Sequence, residues 1–172
     1  MNKIFSFDVE TNSLWGEGFC IGAVVYENGI ETKKFLSRCP LMHTVDDFVK
    51  KNVLPELKNI PVDANNYEDM LKKFSMFYKE EKGNANIIVH MGVPVEAKVL
   101  IDMHLFGFIG DWEGPYPLID IAGNLLQAGY DPTSVDSYNK KRGISVPLEG
   151  GGTHNPLYDS RAAALCYMDL MK

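Results

Sequence analysis

Cysteine is scarce in this chain and scattered. Cys20, Cys39 and Cys166 are odd in number, widely spaced and set among apolar neighbours. That pattern excludes a disulfide framework and a zinc cluster, and leaves buried, reduced thiols. Positive charge is in deficit: 17 Lys and Arg stand against 23 Asp and Glu, for a net charge of −6. A protein that tracks a long phosphate backbone usually carries a basic excess, so a tight duplex binder is disfavoured. Gripping a few terminal nucleotides stays compatible with this balance, because metal ions can supply local positive charge. Long apolar runs are missing too. No stretch approaches the roughly 20 residues that cross a bilayer, and Asp8 arrives too early for a secretory signal. Internal repeats, low-complexity tracts and Gly/Ser linkers are absent, so the expectation is one domain over residues 1–172, in the cytoplasm.

What remains is an ordinary globular composition, 45% hydrophobic and 23% charged. Ile4–Val9 is short, apolar and aromatic, and reads as a buried strand. Phe19–Tyr26 is a second, and Asn28-Gly29 turns it back into a third over Ile30–Leu36. Thr44-Val45-Asp46-Asp47 resembles a helix start. Tyr67, Met70, Leu71, Phe74, Phe77 and Tyr78 give the clearest amphipathic helix. Asn86–His90 is a fourth strand, Pro94–Phe106 a helix, and Pro117–Ile119 a short strand. Asp120–Ala128 and Val135–Arg142 read as helices, and Gly150-Gly151-Gly152 as a flexible or sharply turning loop. Asn155 can cap a final helix with Pro156 at its first position. A hairpin followed by alternating helix and strand predicts an α/β fold: a mixed sheet with helices on both faces, compatible with a ribonuclease H-like core.

Two short segments carry chemistry. In Asp8-Val9-Glu10, strand alternation puts both carboxylates on one face. Their mutual repulsion at the end of an apolar strand is relieved by a hard cation such as Mg²⁺. In His154-Asn155-Pro156-Leu157-Tyr158-Asp159, a histidine precedes a helix and a carboxylate falls in its first turn. The partly positive helix N-terminus favours an ionised Asp159, and a loop histidine can take a proton from water.

Taken in order, these segments resemble the DEDDh family of 3′–5′ exonucleases, among them the small RNases RNase T, oligoribonuclease and RNase AS. Asp8-Val9-Glu10-Thr11 is similar to the first motif of that family, and Leu118-Ile119-Asp120 to the opening of its middle helix. Ser134 to Ile144 resembles the helix and Gly-Ile ending before the third motif. His154 and Asp159 stand five apart as that motif requires. One stretch departs. Where the family has His-Asn-x-x-Phe-Asp, this chain reads His90-Met91-Gly92-Val93-Pro94-Val95-Glu96, so the fourth acid falls to Glu96, one residue late. Asp102, six residues further along a helix, lies about 240° around it from Glu96.

The resemblance implies two-metal phosphodiester hydrolysis at the 3′ end of a single strand. Two Mg²⁺ or Mn²⁺ ions would be held by Asp8, Glu10, Asp159 and Glu96, with His154 as the base. It further implies that Thr11 and Asn12 lie against the terminal nucleotide, with Leu14, Trp15 and Phe19 near enough to stack on bases. The small size leans toward RNA, and kinship with the small RNases implies a homodimer. The competing expectation is a non-catalytic nucleic-acid-binding module on the same fold. Retention of Asp8, Glu10, His154 and Asp159 together argues against it.

Overall fold

The computed structural model describes residues 3–172. Five strands form one mixed sheet in the order β3-β2-β1-β4-β5. β1 (Lys3–Thr11), β2 (Gly18–Glu27) and β3 (Ile30–Arg38) run antiparallel. β4 (Asn86–Val89) and β5 (Leu118–Asp120) run parallel to β1. Helices α1 (Tyr67–Glu81) and α2 (Val95–Leu105) follow β3 and β4, while α3 (Ile121–Gln127), α4 (Val135–Arg142) and α5 (Pro156–Leu170) follow β5. This is the mixed sheet with helices on both faces expected of a ribonuclease H-like core.

The alternation of β1 divides the interior. Phe5, Phe7 and Val9 pack with Phe74 and Tyr78 of α1 and Val99 and Met103 of α2. Ile4, on the other face, packs with Ile121, Leu125, Tyr138, Leu157, Ala163 and Tyr167 of α3, α4 and α5. Asp8 and Glu10 share the parity of Ile4 and Ser6, which directs them to the α5 side.

Helix boundaries follow local chemistry. The side chains of Asn66, Asp120, Ser134 and Asn155 each accept a backbone N–H at the start of a helix. Gly143, left-handed at φ 69°, ends α4. One expectation shifts. The helix anticipated from Thr44 begins later, because the Asp46 side chain accepts the Phe48 N–H, and the chain then makes a single wide π turn over Val49–Val53. The three cysteines are buried and unpaired, as expected. No described helix is long and apolar enough to cross a membrane.

Candidate active site

The site is built where the C-terminal end of β1 meets the first turn of α5. Asp8 is paired across the sheet with Gly22 of β2. A Cβ on Gly22 would come within 2.3–2.6 Å of the Pro156 and Leu157 backbone, so α5 can lie against the sheet only because that residue is glycine. The Ser160 hydroxyl, donating to the Gly22 carbonyl at 3.0 Å, fixes the rotation of the helix there. Asp159 is thereby turned toward β1. Asp8, Glu10 and Asp159 each offer a carboxylate oxygen, and these oxygens lie within 4.8 Å of one another.

Burial and crowding dominate the electrostatics. Burial pushes Asp8 from its ordinary 3.8 up to about 7. Glu10 is raised well above the carboxylate range by burial first, then by Asp8, Asp159 and Glu96. Asp159 is raised by burial and by Asp8, against a hydrogen bond that lowers it, the His154 N–H donating to Oδ2 at 2.8 Å. Desolvation and like charge thus oppose the favourable helix N-terminus at Asp159. The donor set suits a hard divalent cation. Three oxygen-bearing anions converge, and only an opposite charge offsets their repulsion.

Glu96 is not the exposed surface acid that its helical position allowed. It is 4% exposed, and one carboxylate oxygen accepts the Val9 N–H at 3.1 Å, beyond the end of the β1–β4 ladder. Burial and Asp8 raise its pKa well above the usual range. It adjoins the three-carboxylate group without belonging to the set within 4.8 Å. Asp102 faces elsewhere, accepting from the Tyr67 hydroxyl at 2.7 Å and pairing with Lys98.

A cleft of about 280 Å³ opens over this floor. Asp8, Glu10, Asp159 and His154 line it, along with His90, Asp136 and Thr153. His154 is half-buried at φ 72°, a left-handed conformation unusual outside glycine. The glycine loop before it is tied down along its length, where sequence reading allowed a flexible one. Glu149 pairs with Arg161 at 2.9 Å, Gly152 donates to Glu56 at 3.1 Å, and Thr153 donates to Asp136 at 2.7 Å.

The residues after the first motif divide. Leu14 and Trp15 project into solvent at 60% and 76% exposure, so Trp15 does not pack beneath its loop. Phe19 does not join them; it is a fully buried core residue of β2. Thr11 donates its hydroxyl to the Ser13 carbonyl at 2.7 Å. Both polar ends of the Asn12 amide are engaged: Nδ2 donates to the Thr44 carbonyl at 3.0 Å, and Oδ1 accepts the Asp46 N–H at 2.9 Å. At the end of α4, where Lys140, Lys141 and Arg142 follow one another, Arg142 pairs with Asp169 at 2.7 Å and Lys141 lies over the Tyr130 ring.

Sequence reasoning missed Phe48, whose ring meets His154 edge-on with centroids 5.7 Å apart. It also missed Asp136, which accepts from Thr153 and from the Tyr158 hydroxyl. A lone phenylalanine in a polar helix start was the one available signal for the first; nothing local marked the second.

No protein-family model and no curated protein matches this chain. Solved structures do. An exonuclease I structure described in terms of processivity aligns at TM-score 0.69 and 10% identity, over 99% of this chain and 40% of that one. The zinc-bound E. coli exonuclease I–ssDNA complex aligns at 0.66 and 10% identity, over 99% and 40%. Exonuclease I from Methylocaldum szegediense aligns at 0.60 and 10% identity, also over 99% and 40%. The chain thus spans about 40% of the length of the structures it matches, and what it shares with them is the fold.

Proposed function

We propose that this chain is a metal-dependent 3′–5′ exonuclease acting on single-stranded nucleic acid. The observation that carries the reading is the convergence of Asp8, Glu10 and Asp159 at the floor of a cleft that also holds His154. The shared fold with exonuclease I, solved with single-stranded DNA and with a dT13 oligonucleotide, supports the substrate class. These exonuclease I structures carry DNA, so the lean toward RNA rests on the chain's small size alone.

Asp8, Glu10 and Asp159 would hold divalent ions, Mg²⁺ or Mn²⁺ and two in number by the family resemblance, with Glu96 as the fourth acid of the set. Bound there, the ions supply Lewis-acid stabilisation of charge on the phosphoryl oxygens. The chain's own residues do the rest. His154 accepts the proton of the attacking water as its oxygen bonds to phosphorus. The bond from phosphorus to the 3′ oxygen of the preceding nucleotide breaks, and that oxygen takes up a proton. The products are a nucleoside 5′-monophosphate and a strand one unit shorter. Trp15 and Leu14, exposed in the loop that follows Glu10, would offer stacking that is indifferent to base identity.

The test is a 5′-labelled single strand, as DNA and as RNA, incubated with Mg²⁺ or Mn²⁺. The expected result is a ladder that shortens from the 3′ end and is absent with Asp8→Asn. A binding module would retain the strand uncut with either metal.

A further inference from the structure

His154 sits in a left-handed backbone conformation, φ 72°, that is uncommon outside glycine. One of its contacts comes from a segment far away in sequence. Residues 44–56 run as a strap from Asn12 to the glycine loop, touching His154 on the way. At its start, the Asn12 side chain grips the strap twice, at the Thr44 carbonyl and the Asp46 N–H. Asn12 itself lies two residues beyond Glu10 and beside the Leu14–Trp15 loop. Midway along the strap, Phe48 sets the edge contact with the His154 ring. At its end, Glu56 receives the glycine loop in two ways. Its carboxylate accepts the Gly152 N–H, and its backbone carbonyl comes so close to Gly151 that a Cβ there would lie 2.8 Å away.

We propose that Glu56 is a positioning residue for the proton-accepting step. It holds the loop that delivers His154, and Asn12 anchors the opposite end of the same strap. The strap thereby links the strand-gripping loop to the base. The role rests on the exonuclease reading, but the contact itself does not, and the test separates the two.

Three variants are compared with the parent in Mg²⁺, by single-strand hydrolysis kinetics and by hydrogen–deuterium exchange over residues 149–154. Loss of one hydrogen bond of ordinary net strength opens the loop about three- to tenfold more often. Glu56→Ala is expected to speed exchange at Gly152 to His154 by about that factor, to lower kcat measurably, and to leave KM within about twofold. Glu56→Gln keeps an acceptor for the Gly152 N–H and is expected to restore both. Asn12→Ala is expected to lower kcat without raising KM. A rise in KM alone would overturn its place in the strap in favour of direct contact with substrate. Parental kcat together with parental exchange in Glu56→Ala overturns the proposal. Should the parent show no hydrolysis at all, the exonuclease reading fails, and faster exchange in Glu56→Ala reversed by Glu56→Gln would still support the loop-holding role, while unchanged exchange would end it.

Discussion

A cluster assembled to hold cations should weaken the fold when none are present, and Asp8 gives the size of that effect. Its carboxyl rises from 3.8 to about 7 in the folded protein, chiefly through burial. A group whose folded pKa is raised contributes stability that is fully present below the unfolded value and lost as pH climbs through the folded one. In chelator, the protein should therefore lose stability steadily between about pH 4 and pH 7. The span from 3.8 to about 7 corresponds to a ceiling of about 4 kcal/mol. Glu10 and Asp159, raised by burial and by the charge of Asp8, add to that loss. Asp8→Asn removes the charge at nearly constant shape. At pH 8 in EDTA it should raise Tm, by up to about 10 °C given about 2–4 °C per kcal/mol for a chain of this size. Near pH 4 the two proteins should melt together. Saturating Mg²⁺ should narrow the gap at pH 8. The parent gains about 2.7 kcal/mol at a hundredfold excess over Kd, and the variant gains much less. Circular dichroism melts across pH, with and without metal, provide the assay. A parental Tm that is flat or rising from pH 4 to 8 in EDTA would refute the reasoning, as would an Asp8→Asn variant less stable than the parent at pH 8 in EDTA.

Three other substitutions separate the parts of the account. Trp15→Ala should leave stability within about 0.5 kcal/mol, since the ring is mostly exposed. It should raise KM for a single strand about five- to a hundredfold, the worth of one lost stacking contact. Gly22→Ala forces a methyl into the Pro156 and Leu157 backbone; a loss of about 3 kcal/mol or more in urea unfolding is expected, with hydrolysis falling alongside as α5 lifts. Glu96→Gln keeps an acceptor for the Val9 N–H while removing a buried charge. It should raise Tm in EDTA and lower kcat at least about tenfold, and near-parental kcat would leave Glu96 a strand-capping residue alone.

The strands and most helices were readable because their signals are local. Val9 between Asp8 and Glu10 shows the alternation that puts both acids on one face. Asn155 and Pro156 announce α5 one residue from where it begins. The chemistry of Asp159 was legible for the same reason, as a first-turn carboxylate, but its ionisation was not. That depends on how much water α5 excludes when it lies on Gly22, a fact of packing. Glu96 was ambiguous because one residue on a helix is about 100° of rotation, and only the unpaired Val9 N–H beyond the end of β4 selects it. Asn12, Phe48 and Glu56 were hidden in a deeper sense. Their partners lie 32 to 106 residues away, and nothing in a loop of mixed polarity states which distant backbone it will hold.

The most direct measurement of the central claim is metal-dependent cleavage itself. With Mg²⁺ or Mn²⁺, the protein is predicted to shorten a 5′-labelled single strand stepwise from its 3′ end, releasing nucleoside 5′-monophosphates, and Asp8→Asn is predicted to abolish the ladder. An uncut strand with both metals, or a ladder undiminished in Asp8→Asn, would contradict it.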